Sequence, residues 1–183
     1  MKEIFDKLKH SPIHNYILPG LTSWVLKPAG DGHGMIRMFE ASRETQEFIT
    51  PHSHRYGLHC EVLAGWAENI LWKNSELVGA TANSDEWMLC SLKYGGHPGE
   101  YIQTPGPIRR YAKEIRRYAA GSSYDLDYSQ IHSVRFSRGA VVLITETGQR
   151  TDTTQILLPV AYGKAVPTFK VEPWMYKSCR EEE

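Results

Sequence analysis

From Met35 onward the chain breaks into short runs of aliphatic, aromatic and β-branched residues, each closed by turn residues. Met35 to Phe39 is one run. Leu58 to Trp72 supplies one long strand or two paired ones, Trp87 to Leu92 another, and Ala140 to Thr145 (AVVLIT) and Gln155 to Val160 (QILLPV) two more. Between them, Asn83-Ser84-Asp85 and the Gly-Gly and Pro-Gly steps of Tyr94 to Gly99 are turn chemistry. Strands recurring roughly every ten residues predict an antiparallel sandwich or barrel rather than alternating strand–helix units.

Ahead of these runs, Ile4, Phe5 and Leu8 at helical spacing predict a short helix over Met1 to about His10, ended by Pro12. Gly30 to Gly34 is glycine-rich but lacks the Gly-Lys-Ser/Thr ending of a phosphate loop and reads as a plain loop. One segment breaks the pattern. Ile108, Tyr111, Ile115 and Tyr118 also recur at helical spacing, predicting an amphipathic helix with Arg109, Arg110, Lys113, Arg116 and Arg117 on its other side. Cations interleaved with tyrosines are one way to hold RNA or phosphate. Yet Lys+Arg and Asp+Glu are both 21, for a formal net charge of zero, which favours a solvated charged face and predicts neither nucleic acid nor an anionic membrane as partner.

A chain of 183 residues is long enough to bury a core without staples, and one domain over 1–183 is expected. Cys60, Cys90 and Cys179 are odd in number and show no C-x-x-C spacing, which argues against a disulfide scaffold or zinc ribbon and for a reduced, cytoplasmic setting. No apolar run approaches the roughly 20 residues of a membrane helix, and the charged N-terminus is unlike a signal peptide. Arg180 to Glu183 reads as a disordered tail.

The chemistry concentrates in Pro51 to Gly65, PHSHRYGLHCEVLAG. In an extended chain His52 and His54 project from one face, about 6.6 Å apart along the strand, so two imidazoles can converge on one ion. A third, His132, stands similarly at the start of an apolar strand. Here the chain resembles the cupin family, whose first motif is His-x-His, three or four spacers, Glu, six spacers and Gly, and whose second carries one further His. His52 and His54 match the pair, Gly65 the closing glycine, and Gly121 to Val134 the second motif, with His132 as its histidine but without the usual Pro-x-Gly turn. The resemblance covers roughly Met35 to Val160. It implies a double-stranded β-helix (jelly-roll) barrel over 35–160, with 1–34 and 161–183 as flanking segments, a metal in its mouth and pairing into a homodimer. It also implies a strand over Lys113 to Ala119, against the helical periodicity there.

At the family's acidic position stands Leu58. Strand alternation puts Leu58, Cys60 and Val62 inward with the histidine pair and His59 and Glu61 outward, so the expected ligands are His52, His54 and His132, with His59 or Glu61 in reserve should a bulge turn one inward. Three neutral imidazoles suit Fe(II), Ni(II), Cu(II) or Zn(II) and not Mg or Ca. Three-histidine cupins include the thiol dioxygenases, which implies Fe(II) as cofactor, although no tyrosine-bearing motif follows His132. Arg55, Tyr56, Tyr124, Tyr128 and Gln130 flank the two motifs and are expected at the barrel mouth. Arg55, Tyr56 and Tyr128 are the candidate catalytic residues, a guanidinium to clamp a carboxylate or phosphate and a hydroxyl to donate to bound oxygen. His97 lies in a loop placed to act as a lid. Two functions follow: an Fe(II) dioxygenase for a small polar substrate, or a cupin module that binds a small ligand or sugar with a structural metal or none.

Overall fold

Residues 12–16, 18–27, 34–45, 50–78, 85–94, 101–148, 151–161 and 164–165 are described by a computed structural model, with backbone alone at 77–78, 94, 101–102, 161 and 164–165. The helix expected over Met1 to His10, His97 and the tail from Arg180 lie outside the described residues.

The strands are β1 (Leu21–Lys27), β2 (Ile36–Ala41), β3 (Gly57–Ala64), β4 (Trp66–Asn74), β5 (Asp85–Tyr94), β6 (Tyr101–Ala119), β7 (Ser123–Leu126), β8 (His132–Phe136), β9 (Val141–Thr147), β10 (Thr153–Ala161) and β11 (Lys164–Ala165). Helix among the described residues is confined to α1 (Ser75–Val78), a single turn, and no helix there is long and apolar enough to cross a membrane. Two antiparallel sheets form, in the orders β1-β2-β9-β3-β7 and β11-β10-β5-β6-β4-β8. The chain crosses from the first sheet to the second between β3 and β4, and from β6 to β10 it changes sheet at every step: β6 to β7, β7 to β8, β8 to β9, β9 to β10. That alternate winding is a double-stranded β-helix, the barrel expected from the sequence. β1, with its alternating burial, extends the first sheet ahead of Met35.

The main core lies between the sheets, where Leu58, Cys60 and Val62 of β3 meet Ala67 and Leu71 of β4 and Phe136 of β8. The inward set on β3 is therefore the one alternation predicts. β4 is buried on both faces: Ala67 and Leu71 look into this core, while Ile70 and Trp72 enter a second cluster with Tyr111, Ile131 and Leu157. Gly65 makes the β3–β4 turn at φ +66, and a Cβ there would stand 2.4 Å from the Ser137 hydroxyl. The turn thus needs a residue that tolerates positive φ and has no side chain.

The helix that periodicity predicts over Ile108 to Tyr118 is strand throughout, and the strand implied over Lys113 to Ala119 extends back to Tyr101. Tyr111 to Ala119 pairs with β4 and Tyr101 to Tyr111 with β5. Ladder hydrogen bonds to two partners override a local periodicity that Pro105 and Pro107 already oppose. In that register Tyr111 is 4 % exposed, but Ile108 and Ile115 are 44 % and 56 % exposed. Four of the five basic residues are matched by carboxylates: Arg110 by Glu86 at 3.6 Å, Lys113 by Asp85 at 3.1 Å, Arg117 by Glu68 at 2.9 Å, and Arg116 by Glu114.

Candidate metal centre

The segment Pro51 to His54 threads between β8 and β10. His52 bridges to His132 on one side and to Ile156 on the other, and the Pro51 carbonyl and Ser53 amide bond Leu157 and Gln155 of β10. The hydrogen-bonded succession β10-β5-β6-β4-β8 is thereby closed into a ring. Residues directly opposite on antiparallel strands share a face, so the side chains of His52 and His132 emerge together. His54 follows on the same face, its amide held by the Tyr128 carbonyl at 3.2 Å.

The three imidazoles converge, with ring centroids 4.8 Å (His52–His54), 4.9 Å (His54–His132) and 5.5 Å (His52–His132) apart. One nitrogen from each lies within 4.8 Å of the others. His132 is buried, whereas His52 and His54 keep part of their surface open. The far side of two rings is fixed. His52 Nδ1–H donates to the Thr50 carbonyl at 2.7 Å, and His132 Nδ1–H donates to Asn69 Oδ1 at 2.8 Å. Each Nε2 is then left with a lone pair. His54 Nε2 lies 2.7 Å from His132 Nε2, and with the His132 proton on Nδ1 it is His54 that donates across this contact. Burial lowers all three pKa values; the neighbouring imidazoles lower that of His54 further, and His132 falls to about 3. Neutral imidazole is the form that ligates metal.

The reserve ligands stand apart from this cluster. His59 Nδ1 pairs with Asp125 at 2.7 Å on the outward face, and Glu61 shares that side of β3. Cys60 is buried in the core against the Tyr124 hydroxyl, and burial pushes its thiol up to about 12. Tyr124 stacks on Tyr118 at 4.4 Å within the same core, so its ring fills the barrel interior instead of the mouth. Gln130 is a turn residue, its Oε1 accepting the Asp127 amide at 2.9 Å. Arg55 is tied to the loop before β10, Nε donating to the Thr151 carbonyl at 3.2 Å and its own carbonyl accepting from Thr151 at 2.8 Å. Tyr56 is partly buried beside it, and the Tyr128 side chain is 44 % exposed. Sequence reasoning missed Asn69, which nothing in WAENILWKN distinguishes from an ordinary strand residue.

No family model and no curated protein matches the sequence. Among solved structures, 48 chains match. KdgF from Halomonas sp. is 13 % identical, covering 76 % of this chain and 91 % of its own, with a TM-score of 0.42. A protein with a cupin-like fold from Ralstonia eutropha is 11 % identical over 78 % of this chain and 70 % of its own, TM-score 0.40. A Klebsiella pneumoniae protein with a double-stranded β-helix domain is 12 % identical over 84 % of this chain and 92 % of its own, TM-score 0.39. The histidines stand two ahead of β3 and one at the first residue of β8, in the order and spacing read from the sequence.

Proposed function

We propose that this cupin-like protein binds one first-row divalent metal through His52, His54 and His132 and, loaded with Fe(II), acts as a dioxygenase on a small polar substrate. The observation that carries the reading is the orientation of the rings: the Nδ1 protons of His52 and His132 are spent on the Thr50 carbonyl and Asn69 Oδ1, so both Nε2 lone pairs point into the cluster. An all-imidazole donor set fits Fe(II), Ni(II), Cu(II) or Zn(II). Such an ion, when bound, supplies Lewis acidity and, for iron, the capacity to activate dioxygen. Arg55, Tyr56 and Tyr128 are the residues assigned to substrate. Their place beside the cluster supports this, since Arg55 and Tyr56 directly follow His54 and the Tyr128 carbonyl holds its amide. An arginine would receive a carboxylate or phosphate and a tyrosine hydroxyl would donate a hydrogen bond. The buried free thiols Cys60 and Cys90 suit a reducing, cytoplasmic setting. A single domain and a homodimer complete the reading.

A second reading, a binding module with a structural metal or none, is favoured by the 2.7 Å contact of His54 and His132, which satisfies the cluster internally. Elemental analysis of untagged protein purified anaerobically separates the two. Iron or nickel near one per chain, lost in both His52→Ala and His132→Ala, supports the metalloenzyme. Absence of any metal with all three histidines intact would overturn the site assignment.

A further inference from the structure

We infer that Asn69 is a positioning residue that sets which nitrogen of His132 faces the histidine cluster. On β4, Leu71 lies directly opposite His132, and Asn69, two residues before it, shares its face as the diagonal neighbour of His132. The backbone of Asn69 is paired on both sides, with Val134 of β8 and Arg116 of β6, so its Cα is held while the side chain reaches along the sheet. The residue is 2 % exposed, and its Oδ1 lies 2.8 Å from His132 Nδ1.

The geometry is specific because a neutral imidazole carries one proton. An acceptor at Nδ1 draws that proton to the buried side and leaves the Nε2 lone pair toward His52 and His54. Without Oδ1 there, the proton is free to sit on Nε2, facing the other two rings, where it blocks ligation. His52 has the same arrangement, but its acceptor is a main-chain carbonyl two residues away that no substitution removes. In the third histidine the tautomer therefore depends on one replaceable side chain. The consequence for metal affinity rests on the three-histidine reading above; the consequence for the tautomer does not.

The test uses the full chain labelled with ¹⁵N-histidine, metal-free after chelator dialysis, with the protonated nitrogen of His132 read from long-range ¹H–¹⁵N correlations. Zn(II) affinity is measured in parallel by competition with a chromophoric chelator. In the wild type His132 carries its proton on Nδ1. Asn69→Leu, similar in size but without an acceptor, moves the proton toward Nε2 and weakens Zn(II) binding by about 10- to 100-fold. Asn69→Asp, which keeps an acceptor, restores the Nδ1–H form and most of the affinity. Should Asn69→Leu fail to fold by circular dichroism, Asn69→Ala asks the same question without overfilling the site. A wild-type His132 protonated at Nε2, or an Nδ1–H tautomer unchanged in the leucine and alanine variants, overturns the inference. A wild type that binds no Zn(II) while the tautomer still follows residue 69 supports Asn69's role and sinks the metal reading instead.

Discussion

The main chains of His52 and His132 exchange two hydrogen bonds, each 2.9 Å, so the residues meet as a directly opposed pair in the sheet. The convergence of the two rings is thus imposed by backbone pairing, and the imidazoles are not what holds the strands together.

Removing one imidazole should therefore empty the site without unfolding the barrel. His52→Ala is expected to keep the far-ultraviolet dichroism of the wild type and to unfold within about 1 kcal/mol of it, and His132→Ala to stay folded at a cost of about 1–3 kcal/mol, because it leaves the buried Asn69 Oδ1 without its partner; both should lose at least ten-fold in affinity for Zn(II). Chemical denaturation and metal titration of the same preparations check this. Retention of wild-type affinity in both variants would show that the histidines are not ligands.

The metal-free protein should weaken in mild acid. His132 has a pKa of about 3 in the folded chain against an ordinary 6.5, chiefly through burial and then through His52; His52 and His54 are lowered too, by burial. Between those values the unfolded chain takes up protons that the folded one refuses, so the stability is fully present above 6.5 and drains away as the pH falls toward 3. For His132 alone, lowering the pH from 6.5 to 5 corresponds to about 2 kcal/mol. Urea midpoints at pH 7.5 and 5 measure it, and a midpoint unchanged between them would mean that the folded site already accepts protons.

Neither Cys60 nor Cys90 should behave as a reactive thiol. Burial pushes the Cys60 thiol up to about 12, so its thiolate is scarce, and both thiols are buried out of reach of alkylating reagents. Iodoacetamide at pH 8 is expected to leave both unmodified in the native protein and to modify both in urea, read by site-resolved mass spectrometry. Rapid native labelling at Cys60 would reopen a chemical role for it.

Gly65→Ala should destabilise more than Gly139→Ala. Both positions have positive φ, +66 and +76, but a Cβ at 65 meets Ser137 Oγ at 2.4 Å and Ala140 Cα at 2.9 Å, whereas at 139 nothing lies within 4 Å. Ser137 has little room to retreat, since its hydroxyl accepts the Trp66 amide at 2.9 Å. The φ penalty alone is about 1 kcal/mol, and the clash should add a further 1–2 kcal/mol or so at 65. Thermal unfolding of the pair isolates the steric part; equal shifts would refute it.

How much of this was legible from the residues depended on whether they faced one environment or two. The two faces of β3 are legible because Leu58, Cys60 and Val62 are buried in the core while His59 and Glu61 alternate with them at partly exposed positions. β6 misled because Thr104 to Arg110 is exposed on both faces, which erases the alternation of a strand and leaves a chance helical spacing. β1 lies ahead of the runs that begin at Met35, although LTSWVLK alternates cleanly in burial. The histidine triad followed from motif order and spacing. Asn69 could not, because its importance comes from lying diagonally across from His132, a relation set by sheet register and invisible in a string of residues. Nearness in sequence puts Tyr124 at the mouth, and the fold sends its ring into the core.

The bridge from His52 to Ile156 also orders events in time. As the chain leaves the ribosome, the His52–His54 pair emerges early, but one wall of its seat is β10, made only near the end of the described chain. A nascent protein stopped short of Thr153 carries all three histidines and lacks the strand that pins the first of them. Metal capture by this chain would then be a late event of its biogenesis, reporting that the barrel has closed.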